Sequence, residues 1–291
     1  MNRKESKVKF LFVIPAILYL LALLLFPGVY NLYMSFYKWR LGRNPKFVEL
    51  YNYMKILTKD KRFYHALTFT VKFTVVTVIL EVTLGLALAI LAFYAFSWAV
   101  KLMRIVSMFP IVIAPIAAGY MWRMLLHGDY GVFTHILAFL GFRRISILAD
   151  PQLAFWGVIL ANVWQWTPFS FLTFYAGIIS MPREPYEAAI VDGASTFQVL
   201  RHITLPLLRP LIFIVVLLRV IEAFKVFDII YITTGGGPGI LTESFSIYIY
   251  RRALHGSFDI GYGGALAWIY LLLVITLASI YIYYLRKALR L

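Results

Sequence analysis

Long runs of residues without a charged side chain dominate the sequence. Four of them contain at most one charge, Glu81: Phe10–Tyr30, Phe73–Val100, Ile105–Trp122 and Leu153–Met181. A helix needs about 20 apolar residues to cross the hydrocarbon core of a bilayer. Only 14% of the 291 residues are charged, against about 25% in a typical soluble domain. The sequence therefore predicts an integral membrane protein.

We expect an all-α polytopic fold with six transmembrane helices, at Phe10–Tyr30, Phe73–Val100, Ile105–Trp122, Leu153–Met181, Leu211–Thr234 and Ile260–Leu285. The first run is too long for a signal peptide, and no small-residue cleavage site follows it directly, so it is expected to be retained. Pro110 and Pro115 predict a kink or an interruption in the third span. Residues 1–291 are expected to form one transmembrane domain.

Six spans place both termini and the loop at 180–210 on one side of the membrane, and the basic loop at 35–67 on the other. Lys101 and Arg104 are expected to flank a tight return between the second and third spans. Basic residues are almost equally numerous on the two sides, so their total does not orient the chain. The N-terminal tail is dense in charge, with Arg3, Lys4, Lys7 and Lys9 before the first span. We therefore expect both termini and the loop at 180–210 to be cytoplasmic.

Composition also excludes several classes of function. The chain has no cysteine, so disulfides, thiol catalysis and Cys-based metal sites are ruled out. The five histidines show no metal-ligand spacing, and no catalytic set stands out, so we assign neither a metal nor catalytic residues. The net charge of +15 is spread over short loops and tails, which favours lipid headgroups over nucleic acid. No phosphate-binding G-x-x-x-x-G-K-[ST] loop is present, so energy has to come from a partner or an ion gradient.

The stretch from Glu187 to Pro210 is a polar insert built of good helix formers. Pro182 is suited to the first position of a short helix, Glu184 and Glu187 to its positive end, and Gly193 to a left-handed stop.

A second helix is expected to begin at the capping-box sequence Ser195–Gln198 and to run through roughly His202, with Leu205-Pro206 ending it. Small side chains at Ala188, Ala189 and Ala194 would let a protein surface approach closely. The insert is either a docking element or a helical hairpin without a partner.

The insert resembles the EAA loop of the membrane subunits of binding-protein-dependent ABC importers. Glu187-Ala188-Ala189, three residues, Gly193, nine residues, Ile203, one residue and Leu205-Pro206 match that motif. The resemblance implies coupling helices that sit in a cleft of an ATPase subunit, with Glu187 in polar contact there and Gly193 allowing the turn. The residues assigned to coupling in this way are Glu187, Ala188, Ala189, Asp192, Gly193, Ile203, Leu205 and Pro206.

Two predicted spans carry polar side chains. Arg219, Glu222, Lys225 and Asp228 recur every three residues, which permits either a self-neutralising ladder or one wall of a translocation path. In the fourth span, one stripe contains Asn162, Gln165, Trp166 and Phe169. Amides beside an aromatic surface suit a sugar, although they also occur as contacts between helices. Glu81 is expected to make a buried structural contact, with a proton relay as the alternative, and Gly85-x-x-x-Ala89 permits close helix packing.

Most of the chain is similar to sugar-type ABC permeases, including FVIPAILYLLALLLFPGVYNLYMSF near the start, MFPIVIAPIAAGYMWR in the third span and Thr234-Gly-Gly-Gly-Pro238 after the fifth. The resemblance implies the type I ABC importer permease fold. In the maltose-type member the sugar is held by the helices before and after the EAA loop. The matching positions here are Asn162, Gln165, Trp166, Phe169, Arg219, Glu222 and Ala223. Arg219 and Glu222 place charges where the maltose-type protein has none, which argues against maltose itself.

The resemblance implies an importer in the plasma membrane of a prokaryote. Its partners would be a second homologous permease, two ABC ATPase subunits that bind ATP and Mg, and an extracellular sugar-binding protein. The chain itself would hold no cofactor and would not be an enzyme. Two alternatives remain open: an ABC importer for a non-sugar solute, and a secondary transporter or channel coupled to ions through Glu81, Glu222 and Asp228.

Overall fold

The computed structural model describes residues 13–15, 17–141 and 146–289. About 76% of the described residues are helical. Several residues used in the predictions lie outside the described residues. They are the basic residues of the N-terminal tail, the first three residues of the first span, Arg143, Arg144 and Arg290. The helices are α1 Phe26–Ser35, α2 Tyr51–Lys59, α3 Lys61–Tyr94, α4 Ser97–Val112, α5 Pro115–Leu125, α6 Val132–Phe139, α7 Ala154–Ile179, α8 Glu184–Val191, α9 Thr196–Val199, α10 Leu205–Phe224, α11 Asp228–Thr233, α12 Phe245–Ala253 and α13 Ile260–Leu289. A short antiparallel pair, β1 Tyr37–Lys38 with β2 Lys46–Phe47, lies in the predicted loop at 35–67.

Four helical segments among the described residues are long and apolar enough to cross a membrane: Val13–Ser35, Lys61–Tyr94, Thr196–Phe224 and Ile260–Lys287. The pair α4 and α5 makes a fifth if its two halves count as one span. The predicted fourth span corresponds to α7, which is 26 residues long and is not among these segments; it contains the polar side chains of Asn162, Gln165 and Thr167. All three of those side chains are buried. The chain is therefore a mostly helical membrane protein with four to five spans identified by length and composition.

The second and third spans differ in their boundaries from the prediction. α3 begins twelve residues before the predicted Phe73 and ends at Tyr94. Lys101 and Arg104, expected at a tight return, instead lie within α4, because the chain turns earlier, at Ala95-Phe96. The interruption expected from the prolines is confirmed at Pro115, where α4 and α5 meet at 100°.

The predicted fifth span, Leu211–Thr234, is also two helices. α10 ends at Phe224, with Lys225 as its C-cap, and α11 begins at Asp228. Lys225 and Asp228 therefore lie at a break in the helix and not on a continuous charged face. The break removes the need to place four charges on one membrane-crossing helix, which would be costly in hydrocarbon.

The chain divides into two compact units, one made of the described residues before Tyr64 together with Tyr248–Leu273, the other of Tyr64–Ile247 and the described residues from Val274. Two apolar cores lie among the described residues of the second unit. The first surrounds Phe73, Trp122 and Ile230, and the second surrounds Phe171, Phe174 and Leu208.

Gly85 brings α3 and α7 into close contact within the second unit. A Cβ atom at this position would lie 2.5 Å from Ser170 Cβ and 2.8 Å from the backbone nitrogen of Phe171. No side chain larger than hydrogen fits there without moving backbone. Ala89, four residues later, is fully buried in the second core. The Gly85-x-x-x-Ala89 spacing thus does mark a tight helix–helix contact.

Asp60 organises the first unit. One carboxylate oxygen, Oδ1, accepts hydrogen bonds from the backbone N–H groups of Arg62 and Phe63 at 3.0 and 3.1 Å, which caps the start of α3. The other oxygen, Oδ2, accepts from the hydroxyls of Tyr248 and Tyr262. One side chain therefore ties the start of α3 to α12 and α13.

The charge on Asp60 is stabilised in this setting. Burial opposes ionisation, but the hydrogen bonds from Tyr248, Tyr262 and the Phe63 backbone, together with the charge of Arg252, hold the Asp60 pKa below its ordinary value. Burial and the carboxylate raise the pKa of Tyr248 to about 12, so this hydroxyl remains a donor throughout the physiological range.

We predict that Asp60→Asn lowers stability at neutral pH and flattens its acid dependence. A depressed carboxyl pKa contributes stability above the unfolded pKa, and this stability is lost as pH falls through the folded pKa. Asparagine can still cap α3 through its amide oxygen, so the variant keeps the cap and removes the charge together with the acceptor for the two tyrosine hydroxyls. Melting temperatures of the purified protein between pH 3 and pH 7 check this. Curves of equal slope for wild type and variant would contradict it.

Candidate functional site

A buried polar triad joins three helices of the second unit. Glu81 of α3 accepts a hydrogen bond from Asn162 Nδ2 of α7 at 2.8 Å and one from Arg219 Nε of α10, also at 2.8 Å. The three residues are 0%, 2% and 2% exposed, respectively. Glu81 and Arg219 thus form a fully buried ion pair.

The sequence positions of these residues explain why they meet. Along α3, Glu81 lies between residues that join the first core and residues that join the second, and Asn162 lies in the part of α7 that joins the first core. A lone charge buried among apolar side chains costs several kcal/mol, about 3–5 when one partner of a pair is removed. Each carboxylate oxygen of Glu81 has its own donor, so the pair is well satisfied.

The aromatic ring of Trp166 covers the guanidinium. Arg219 Cζ lies 4.5 Å from the ring centroid, which is within the range of a cation–π contact. Arg219 forms its ion pair with Glu81 of α3. Its three-residue spacing from Glu222 would have allowed a pair within α10, but that pair does not form. Glu222 pairs with Lys225 at 2.9 Å, and both side chains are about half exposed. Among the described ion pairs, Glu222–Lys225 is the one pair of the possible charge ladder that forms.

Two members of the triad, Asn162 and Arg219, line a cavity of about 290 Å³. Six of the seven residues predicted to contact a substrate line it, namely Asn162, Gln165, Trp166, Arg219, Glu222 and Ala223. Phe169 does not; it packs against the second apolar core. The helix break supplies further lining residues: Lys225, Val226, Phe227, Asp228 and Ile229. The cavity is thus lined by amide, charged, aromatic and apolar side chains.

Gln165 offers an acceptor that has no donor in the described part of the chain. Its Nε2 donates to the Ile113 carbonyl at 3.1 Å, at the break between α4 and α5. Its Oε1 is buried and has no hydrogen-bond partner there. A buried acceptor without a donor costs about 1–3 kcal/mol. A ligand hydroxyl that entered the cavity and reached this atom would recover that cost.

A larger cavity of about 570 Å³ lies elsewhere in the second unit, between α10 and α13. Its lining is almost entirely apolar, with residues such as Phe213, Leu217 and Leu285. A hydrophilic solute finds few hydrogen-bonding groups there, so the smaller polar cavity is the better candidate for binding such a solute.

Sequence reasoning left Lys225 and Asp228 as part of either a self-neutralising ladder or one wall of a translocation path, and it expected a buried structural contact for Glu81 without naming the partner. The signal for Glu81 was present, since it is the single charge in a run of 28 residues and Arg219 is a buried cation in another span. Pairing them requires knowing which helices are neighbours, and residue spacing within one helix does not give this.

The first helix of the EAA-like loop is α8. Arg183 is its N-cap, and Pro185 lies in its first turn, so the helix begins two residues after the predicted Pro182. Glu184 and Glu187 lie in the first turn, as predicted. Gly193 has φ +71°, and its N–H bonds to the Ile190 carbonyl. The predicted left-handed stop at Gly193 is confirmed.

The second helix begins as predicted and then departs from the prediction. Ser195 and Gln198 form a complete capping box at the start of α9. Leu205-Pro206 does not end the helix, because a π-helical turn, Leu200–Thr204, leads directly into α10. The Leu205 N–H bonds to the Leu200 carbonyl, five residues back. The wider turn shifts the backbone register just before Pro206, so its missing N–H falls within the first turn of α10.

Two cavities border this loop. One, of about 520 Å³, is lined in part by Glu187, Ile190 and Ala194, and the other, of about 290 Å³, by Asp192, Gly193 and Ile203. Ala188 is exposed and Ala189 is buried. Tyr186 OH lies 3.1 Å from Thr204 Oγ1, which fastens α8 to the π-helical turn at the start of α10.

A family model described as "binding-protein-dependent transport system inner membrane component" matches residues 64–291. The chain belongs to this family. The predicted resemblance to membrane subunits of binding-protein-dependent importers is thereby confirmed, and the chain is a multi-pass membrane permease subunit.

Individual relatives are similar over nearly the whole chain. The trehalose/maltose transport system permease protein MalF of Thermococcus litoralis is 34% identical, over 96% of this chain and 94% of the relative. The sulfoquinovosyl glycerol transport system permease protein SmoG of Agrobacterium fabrum is 34% identical, over 95% and 89%. A crystal structure of a bacterial ABC transporter for the acidic polysaccharide alginate contains a chain of the same fold, with TM-score 0.87 and 21% identity over 98% and 96%.

For this permease we predict that Arg219→Met alone destabilises strongly, because it leaves Glu81 buried without its cation. The expected loss is about 3–5 kcal/mol. The double variant Glu81→Leu/Arg219→Met should recover most of that loss, since no unpaired charge remains. Thermal unfolding of the purified variants in detergent measures both. A double variant less stable than Arg219→Met would contradict the role of the pair.

Proposed function

We propose that this chain is a transmembrane subunit of an ATP-driven importer that carries a sugar across the plasma membrane of a prokaryote. The observation that carries the proposal is the joint presence of an EAA-type helix pair, with its glycine turn at Gly193, and a polar cavity lined by amides and an aromatic ring. The family match supports the importer class, and the names of the relatives support a sugar.

The cavity suits a neutral polyol in its chemistry. Asn162 and Gln165 offer amides, and Gln165 has an acceptor without a donor. Trp166 offers an aromatic surface, on which the C–H face of a sugar can stack. Sugars bind proteins through this combination of hydrogen bonds and stacking. We assign sugar contact to Asn162, Gln165, Trp166, Arg219, Glu222 and Ala223, and leave Phe169 as a supporting residue.

The complete importer would contain a second homologous permease, two ABC ATPase subunits that hold ATP and Mg, and an extracellular sugar-binding protein. A structure of the alginate transporter with a pentasaccharide-bound periplasmic protein supports this type of assembly. Six spans, with α7 as the fourth, would place both termini and α8 in the cytoplasm, where the ATPases are.

The mechanism we propose is alternating access. Closure of the ATPases on ATP would displace α8, and the contact of Tyr186 with Thr204 would pass the movement to the start of α10. α10 carries Arg219 and Glu222 at its other end, so a tilt of this helix would reshape the cavity. ATP can drive this change only by binding one state of the assembly more tightly than the other.

The first experiment is to tag the chain in its native host, purify it in mild detergent and identify every co-purifying chain by mass spectrometry. We expect a P-loop ATPase and a second permease with an EAA loop. Recovery of the chain alone, under conditions that preserve a control ABC importer, would favour the ion-coupled alternative through Glu81, Glu222 and Asp228.

We further predict that Glu187→Ala abolishes coupling while Glu184→Ala does not. Both glutamates are exposed in the first turn of α8, so they share the effect of the helix dipole, but Glu187 alone belongs to the motif. Sugar uptake and ATP hydrolysis by the reconstituted assembly should fall at least about tenfold for Glu187→Ala, which corresponds to about 1.4 kcal/mol of lost interaction. In an ion-coupled transporter, neither substitution would change sugar uptake.

A further inference from the structure

We propose that Glu81 determines the charge class of the transported sugar by neutralising Arg219, so that the cavity accepts neutral sugars and rejects acidic ones. This inference rests on the proposed function of the cavity as a sugar site. Glu81 does not line the cavity, so it acts as a positioning and specificity-determining residue through Arg219.

The charges around the cavity support this assignment. Two cations, Arg219 and Lys225, face three carboxylates, Glu81, Glu222 and Asp228. Arg219 is paired with Glu81 at 2.8 Å, and Lys225 with Glu222 at 2.9 Å. The remaining charged residue is Asp228, which lines the cavity and carries a negative charge. The cavity therefore offers no uncompensated cation to a carboxylate or sulfonate.

The hydrogen-bond geometry shows how Glu81 restrains Arg219. Glu81 Oε2 accepts from Nε of the guanidinium, and the Trp166 ring lies 4.5 Å from Cζ. The guanidinium is thus held between a carboxylate and an aromatic face. With Glu81 replaced by a neutral residue, the same guanidinium would be an unpaired cation at the cavity wall, and arginine binds carboxylates by strong charge-assisted hydrogen bonds.

The charge class is a real choice within this fold. A chain of the same architecture belongs to a transporter whose substrate is the acidic polysaccharide alginate. In the present chain, the choice would depend on a residue outside the cavity lining, in α3. Glutamine is the matched substitution at this position, because it keeps the size of the side chain and one acceptor for Arg219 or Asn162 while removing the charge.

The test uses the assembled transporter in lipid nanodiscs without its binding protein, so that binding reports the permease itself. The probes are matched pairs of glucose with glucuronate, galactose with galacturonate and mannose with mannuronate, whose relative affinities are measured by saturation-transfer NMR with competition. Wild type should bind the neutral member of a pair about tenfold or more tightly than its uronate. Glu81→Gln should shift that ratio toward the uronate by about tenfold or more, because an unpaired charge at close range outweighs one lost hydroxyl contact.

Two further variants isolate the cause. Glu81→Leu/Arg219→Met removes both charges and should return the preference to the neutral sugar. Glu243→Gln removes another fully buried carboxylate of the same unit, one that does not line the cavity, and should leave the ratio unchanged. A shift of equal size in Glu243→Gln would mean that net charge, not the position of Glu81, decides the preference, and would overturn the proposal.

The outcomes separate this inference from the proposed function. Trp166→Ala should weaken all probes; if binding is indifferent to it, or no probe binds wild type, the cavity is not the sugar site and both proposals are wrong. If binding depends on Trp166 but Glu81→Gln leaves the ratio unchanged, the charge inference alone is wrong. Should Glu81→Gln fail to assemble, Glu81→Ser is measured in its place with the same expected shift, and an unchanged ratio or a wild-type preference for the uronate would overturn the proposal.

Discussion

Every charge that this chain places among its apolar helices has to be compensated, and the Glu81–Arg219 pair is where the second unit meets that requirement. Both residues are buried in the described structure, at 0% and 2% exposure, and each would be costly alone. Their pairing fixes α3 beside α10, and the hydrogen bond from Asn162 adds α7. The close approach at Gly85 brings α3 against α7 a turn further on. These three helices, of which α7 and α10 line the cavity, are therefore held by one polar contact and one steric contact.

The same requirement explains the break after α10. If α10 continued as one helix through Asp228, all four charged residues would lie on a single membrane-spanning helix: Arg219, Glu222, Lys225 and Asp228. The break at Lys225–Phe227 leaves Arg219 buried and moves the other three charges to the partly exposed cavity rim. Polar groups freed at the break are satisfied locally: Ser244 donates to the Val226 carbonyl at 3.0 Å. Irregular backbone at membrane depth is tolerated where it lines a cavity or is covered by protein.

The sequence predicted the local features of the EAA-like loop well, because they depend on neighbours within a few residues. The left-handed Gly193 and the Ser195–Gln198 capping box need only the backbone around them. Pro206 was misjudged because the rule that proline ends a helix assumes α-helical register, and the π turn at Leu200–Thr204 changes that register first. The predicted boundary between the second and third spans was also wrong. Lys101 and Arg104 suggested a turn there, yet long basic side chains near a helix end are tolerated at a membrane surface.

The candidate site shows the limit of reasoning from one helix at a time. The stripe Asn162, Gln165 and Trp166 was visible from spacing along α7, and those residues do line the cavity. Phe169, on the same stripe, faces an apolar core, because a helix twenty-six residues long crosses more than one environment along its length. The partner of Arg219 was not visible, since Glu222 had the correct spacing and Glu81 was 138 residues away. A buried carboxylate outcompetes an exposed one for a buried guanidinium, because only the buried carboxylate can offset the desolvation of the cation. Contacts between spans therefore decide which charges remain available to a ligand.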